Sequence, residues 1–174
     1  MSFKIPPFLI KKIFPPKKAV STVDTTGDGK ADSIQIKALN VMAPFTVPEN
    51  IDLGDFDIND FDLSEYAEIL LDGDPMDISK ENINFNVIRD RFKIYHKGDG
   101  YTLDELFGGK AAGKIIAMGD TLTILLKLDE KEMNKFITEG SHTLTIEAEN
   151  IPTLEISFEL SKKNMNIKFD PNNT

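Results

Sequence analysis

The residues best suited to chemistry stand together near the N-terminus. In VDTTGDGKADSIQI, residues 23–36, Asp24, Thr26, Asp28 and Asp32 fall at positions one, three, five and nine of a loop. Gly29 stands at position six and Lys30 at position seven. Calcium takes about six to eight oxygen ligands, and carboxylates at alternate positions around a sharp glycine bend can supply them. The spacing therefore names Asp24, Thr26, Asp28, Lys30 (through its carbonyl) and Asp32 as candidate metal ligands. Position twelve is Gln35 rather than a bidentate glutamate, and a strand pattern follows where an EF-hand requires a helix. An EF-hand is excluded, and any site is expected to be weak, with a Kd on the order of 10⁻⁴–10⁻³ M. The same residues suit a hairpin turn between AVSTV and SIQIKAL, with Gly27 and Gly29 supplying positive φ. One loop can be both.

No other stretch assembles a catalytic group. Residues 108–114, GGKAAGK, match G-x-x-x-x-G-K, but Ile115 stands where a phosphate loop needs Ser or Thr for magnesium. The segment also follows a helical stretch and precedes an extended one, the reverse of that motif's order, so it reads as a connector. G-x-S-x-G and H-E-x-x-H are absent. His96 ends one strand pattern and His142 begins another, and both read as structural. Glu147, Glu149, Glu155 and Glu159 alternate outward on two strands, which describes a solvated face, or one that receives a basic segment, more than an acid–base cleft. The stretch DLGDFDINDFDLSEY carries Asp52, Asp55, Asp57, Asp60, Asp62 and Glu65 among Leu53, Phe56, Ile58, Phe61 and Leu63. It reads first as a surface loop pinned by its phenylalanines, and second as another calcium site or a partner-binding loop.

The elements that must position these residues are strands. Period-two alternation places Ile34, Ile36 and Ala38 on one face of SIQIKAL, with Gln35 and Lys37 on the other. The same alternation runs through YAEILL, INFNV, RFKIYH, TLTILLKL, HTLTIEAE and TLEISFEL. Turn signals separate them at Asp72-Gly73, Gly98-Asp99-Gly100, Gly119-Asp120 and Asn150 to Pro152. Two short helices interrupt the strands. One opens on the capping box Thr102-Leu103-Asp104-Glu105 and stops at Gly108-Gly109. The other starts at Asp129 and stops at Gly140. The pattern predicts an all-β chain, an immunoglobulin-like antiparallel β-sandwich, with a closed barrel as the alternative.

Charge divides the chain. Residues 1–18 carry five lysines and no acid, leaving 15 basic and 29 acidic residues, net −14, for the rest. Two Pro-Pro pairs frame FLIKKIF, which is long enough for about two helical turns. The expected organisation is a basic proline-framed arm (1–18), a sandwich (19–162) and a C-terminal strand or tail (163–174). The arm either folds on its own domain or docks on a protein partner or a second copy; a membrane ranks third. An acidic body argues against nucleic acid. The chain has no cysteine, which excludes disulfides, zinc-thiolate sites and thiol nucleophiles. No signal peptide or spanning run is evident, so a cytoplasmic protein is expected.

The opening MSFKIPPFLIKKIF resembles a group of small archaeal proteins that begin M-x-F-K-x-P-x-F-L-x-K-K and continue into a compact β-domain. ALNVMAPFTV, AEILLDGDPMDISKENINF and ITEGSHTLTIEAE resemble later segments of that group. The resemblance implies no established activity. Some of its members carry a hydroxymethylglutaryl-CoA reductase label, and this chain has no glycine-rich cofactor loop to match it. The 24–32 loop is similar to the D-x-x-G-D-G-x-x-D calcium loops of dockerins and FG-GAP repeats. A shorter likeness, through LDGDPMDISKENINF, YTLDEL and EGSHTLTI, is to the small β subunit of C-glycoside deglycosidases, which implies a sandwich supporting a larger catalytic partner. The expected function is a non-enzymatic binding or self-assembly module using the arm, with optional calcium. The alternative is an accessory subunit of an enzyme.

Overall fold

A computed structural model of the chain describes residues 6–49, 65, 67–75, 91–130, 133–134, 138–148 and 151–174. The fold begins with a helix that cannot stand alone. Pro7 opens α1 (Pro7–Ile13), where a missing N–H costs nothing. Seven residues are too few for an isolated helix in water. α1 lies against strands β2 (Ser33–Leu39) and β11 (Ile151–Leu160), and its Ile10 is buried. Phe8, Lys11 and Lys12 face outward.

The chain is mainly β, with several antiparallel sheets, as its alternation predicts. The larger sheet has the order β12-β1-β2-β9-β6-β7. Its remaining strands are β1 (Val20–Asp24), β6 (Phe92–His96), β7 (Asp99–Thr102), β9 (Thr121–Lys127) and β12 (Ile167–Lys168). All its pairs are antiparallel except β1 with β12. The second sheet has the order β11-β10-β4-β5, with β4 (Ala67–Leu71), β5 (Asp74–Pro75) and β10 (Gly140–Ala148). A third pairs β3 (Phe45–Thr46) with β8 (Ile115–Ile116). No closed barrel forms among the described residues.

The two large sheets share a core. Ala19 and Val20 meet Phe158 and Leu160, with Ile34 and Ile36 from β2, Leu71 from β4, Leu144 from β10 and Phe14 from the arm around them. Alternation assigns Ile34, Ile36, Leu71, Leu144, Phe158 and Leu160 to inward faces; Ala19, Val20 and Phe14 join them without such a signal. Glu155, Ser157 and Glu159 point outward on β11, and Glu147 does so on β10. Glu149, the INFNV strand and the acidic stretch, apart from Glu65, lie outside the described residues.

Local signals succeed where the backbone alone decides. The capping box forms as its residues predict. Glu105 N donates to Thr102 Oγ1 and Thr102 N to Glu105 Oε2, opening α2 (Leu103–Phe107). Of the second expected helix, Glu130, Met133 and Asn134 are helical and most of the rest lies outside the described residues. Two turns differ from expectation. The β6–β7 hairpin turns at Lys97-Gly98, not at Gly98-Asp99-Gly100, because a two-residue turn of this hand needs positive φ at both positions (51° and 87°). Gly100 lies within β7, where the Tyr95 ring covers it. A Cβ there would stand 2.5 Å from Tyr95 Cε1. Pro152, read as a turn residue, lies inside β11, which is an edge strand and tolerates the missing donor.

The outer face of the six-stranded sheet is not solvated, as alternation alone suggests. Ser21, Ser33, Gln35 and Thr123 on it are buried. The C-terminal segment crosses that face. Phe169 meets the Tyr95 ring edge-on at 5.1 Å, and Lys37 Nζ donates to the Asn173 carbonyl at 2.7 Å. Ser21 Oγ and Gln35 Oε1 satisfy each other at 3.0 Å.

Docking of α1 through one buried isoleucine has a direct test. Ile10→Ala should lower the unfolding free energy by about 2 kcal/mol or more in urea titrations. Phe8→Ala, on the exposed side, should stay within about 0.5 kcal/mol. Equal effects would mean that α1 does not dock as described.

Candidate functional site

The β1–β2 loop is a hairpin connection, as its turn reading predicts. The strands pair from Val20↔Ile36 to Val23↔Ser33, and Asp32 N donates to the Val23 carbonyl at 3.0 Å. Gly27 and Gly29 take φ of 83° and 87°, a conformation that disfavours other residues. Asp24 organises the turn. Its Oδ1 accepts from Thr26 N (3.0 Å), Thr26 Oγ1 (3.2 Å) and Gly27 N (2.6 Å), and its Oδ2 from Gly29 N (2.7 Å). The Gly29 N–H, joined by those of Gly27 and Thr26, holds the Asp24 carboxyl below its ordinary range against the opposing effect of burial.

The other candidate ligands serve the loop separately. Asp28 Oδ1 accepts from Lys30 N at 2.8 Å, and Asp32 accepts from Thr25 Oγ1 at 2.8 Å and Ser33 Oγ at 2.6 Å. Among the described residues, no three His, Asp or Glu side chains form a group able to hold a metal ion. The oxygen chemistry suits calcium. The carboxylates, however, are spent on the loop's own donors.

Both histidines are held by aspartates from turns. The Gly119-Asp120 turn brings Asp120 Oδ2 to 2.9 Å from His96 Nε2, 2.8 Å from Lys97 Nζ and 2.9 Å from Ala117 N. Lys97, then His96, hold the Asp120 carboxyl down to about 2 against burial. An ionised carboxylate only accepts, so His96 Nε2 carries a proton. The buried His96 ring lines an apolar cavity of about 160 Å³, along with Phe45, Leu106, Ala111, Ile116 and Leu122. At its rim, Lys114 pairs with Asp99 and lies 5.3 Å from the centre of the Tyr101 ring.

The second histidine is bonded at both nitrogens. The Asp72-Gly73 turn, with φ of 54° and 85°, places Asp72 Oδ2 2.8 Å from His142 Nδ1. Thr138 offers its carbonyl 2.8 Å from His142 Nε2. Asp72 Oδ1 also accepts from Thr143 N. A carboxylate and a carbonyl both accept, so both contacts are satisfied as hydrogen bonds together when the ring is an imidazolium, the form they favour. It lies 5.3 Å from the Phe158 ring, beside the core. Sequence reasoning took Asp72 and Asp120 only as turn residues. The G-D and D-G signals located them, but nothing in the sequence paired either with a histidine.

The GGKAAGK segment forms the turns after α2, with Gly109 and Gly113 at positive φ, which agrees with a connector. Exposed apolar residues that sequence reasoning did not single out lie beside it. Met42 (62% exposed), Phe45 (46%), Ile115 (61%) and Met118 (69%) are large apolar side chains in solvent, all on or beside the β3–β8 pair.

The His142 contact makes stability depend on pH. Burial pulls its pKa down, but the Asp72 carboxylate and the Thr138 carbonyl outweigh it, and the folded value lies above the ordinary 6.5. That contribution is complete below the unfolded value and is lost as pH rises through the folded one. Asp72 is depressed, first by the bond from His142, so its share is lost as pH falls below the ordinary 3.8 through the folded value. Urea titrations should show wild type exceeding His142→Gln most between about pH 4 and 6.5, with the gap closing as pH rises. A gap independent of pH would mean a neutral ring. Comparison with known proteins leaves function to this geometry: no family model matches the chain, and no curated protein matches it.

Proposed function

We propose that the two large sheets form an immunoglobulin-type sandwich whose role is to bind a protein partner or a second copy, without catalysis of its own. The observation that carries this reading is that four of the six large apolar side chains exposed among the described residues, Met42, Phe45, Ile115 and Met118, lie on or beside one short strand pair, with Phe45 and Ile115 on its opposite faces. Large apolar side chains scattered singly are ordinary on a surface, and it is their concentration around one strand pair that supports an interaction role. The shared core of Ala19, Val20, Phe158 and Leu160 supports the sandwich. The two histidines support a structural rather than a chemical role, since each is tied to an aspartate by a short hydrogen bond. α1 offers a second surface, with Phe8 beside Lys11 and Lys12. Calcium in the 24–32 loop is part of the proposal as a weak site. Binding requires Asp28 and Asp32 to give up their bonds to Lys30 and Thr25, which suits low affinity.

Two measurements test the reading. A binding surface can accept charge without loss of fold, so Ile115→Lys should leave the thermal midpoint unchanged, within about 0.5 kcal/mol of stability. A midpoint lowered by several degrees would make the cluster part of the fold and remove the support. Calorimetry should detect calcium at a Kd on the order of 10⁻⁴–10⁻³ M. That heat should shrink in Asp28→Asn; no heat in wild type, or equal heat in the variant, removes the metal site.

A further inference from the structure

The structure assigns Asp28 as a site of self-modification, at which the folded hairpin converts its own aspartate to isoaspartate. This goes beyond the binding-module reading and does not depend on it. The chemistry belongs to Asp-Gly pairs. The amide nitrogen that follows an aspartate can attack the side-chain Cγ, and a glycine there leaves the approach open. The chain holds three such pairs, Asp28-Gly29, Asp72-Gly73 and Asp99-Gly100, and no Asn-Gly. All six residues are exposed, so access to solvent does not choose among the pairs. Their hydrogen bonds do.

Two of the pairs are restrained. Asp72 is held at both oxygens, Oδ1 by Thr143 N and Oδ2 by His142 Nδ1, each at 2.8 Å. Asp99 is paired with Lys114, and its backbone is fixed opposite His96 in the β6–β7 ladder. The Tyr95 ring lies over Gly100. Attack at either site must first break these contacts. Asp28 is held at one oxygen. Its Oδ1 accepts from Lys30 N at 2.8 Å, which folds the carboxyl over the Gly29 peptide between them. No bond reaches its Oδ2 among the described residues. Gly29, at φ of 87°, has open space around it, and its N–H donates to Asp24 Oδ2 at 2.7 Å.

The turn therefore supplies each part of the reaction. Gly29 N adds to Asp28 Cγ, and its proton passes to Asp24 Oδ2, which already accepts from it. Charge gathers on Asp28 Oδ1, where the Lys30 N–H stabilises it. The oxygen that nothing holds then leaves as water, taking the acid proton of the carboxyl and the one lent to Asp24. The product is a cyclic succinimide. Water reopens it at either carbonyl. Breaking the Cγ–N bond restores aspartate. Breaking the main-chain bond leaves isoaspartate, with one more carbon in the backbone and the free carboxyl on Cα. Water is the only co-reactant, and nothing is oxidised or reduced. The new carboxyl no longer caps Lys30 N, so the turn is altered for good.

Ageing the full chain folded in mildly acidic buffer and, in parallel, unfolded in urea tests this. Isoaspartate is counted by enzymatic methyl transfer from labelled S-adenosylmethionine and placed by mass spectrometry of tryptic peptides. Unfolded, the three pairs should convert at similar rates, since each is then a free Asp-Gly. Folded, Asp28 should convert at least as fast as in urea. Asp72 and Asp99 should slow by about tenfold or more, the factor that one charge-assisted hydrogen bond to be broken carries. Asp28→Glu keeps the charge but cannot close the same ring, and should lose the label at position 28 while labels elsewhere stay. Folding that protects position 28 as much as positions 72 and 99 overturns the inference. So does a folded chain in which either of those two leads, or a label that survives Asp28→Glu undiminished.

Discussion

The contact between the start of β1 and the end of β11 is the constraint on which the rest of the structure depends. Ala19 and Val20 press against Phe158 and Leu160, and through them the two large sheets become one body. The burial of these four side chains is nearly complete. β1 is buried along its whole length, whereas most of β2, β4 and β10 is only half-buried. Phe14 and Ile10 complete the seal from outside, which is why a seven-residue helix framed by prolines is ordered at all. Lys11 and Lys12 are carried on the outer side of that helix, away from the core, and Lys17 and Lys18 beyond it are exposed too.

From this contact the polar groups fall into a pattern. Aspartates at the ends of strands organise the polar contacts. Asp24, Asp72 and Asp120 each sit where a strand gives way to a turn or begins from one, and each gathers backbone donors, Asp24 and Asp120 from their own turns and Asp72 from Thr143 of β10. Asp72 and Asp120 also capture a histidine. The Asp72 carboxyl is lowered first by its bond from His142 and the Asp120 carboxyl first by Lys97 and then His96, with a backbone N–H adding to each. The outward glutamates on β10 and β11 gather no such donors and remain a solvated face.

Of the six large apolar side chains exposed among the described residues, four, Met42, Phe45, Ile115 and Met118, lie on or beside the β3–β8 pair, while Phe8 stands on α1 and Ile167 on β12. Burial of Ile116 beside exposure of Ile115 is the alternation of a strand with one face inward. In a monomer the outer face of such a strand is usually polar. Here it is isoleucine, and the neighbouring turn carries methionine.

The sequence by itself determined what depends on neighbours along the chain. Alternation marked the inward residues of β2, β10 and β11. The Thr102–Glu105 box marked the start of α2, and the glycines of the 24–32 loop marked a hairpin. Each rests on a backbone preference or a period that a few residues express. Tertiary structure decided what depends on residues far apart. His142 and Asp72 are 70 positions apart, and His96 and Asp120 are 24 apart. No local pattern encodes such pairs, because sheet order brings them together. The same holds for Gln35 and Thr123, polar by alternation and yet buried, on a face that the chain's last residues cross. The loop carboxylates are the local counter-example: their spacing along the chain suits a cation, and the donors that meet them lie within the same short hairpin connection.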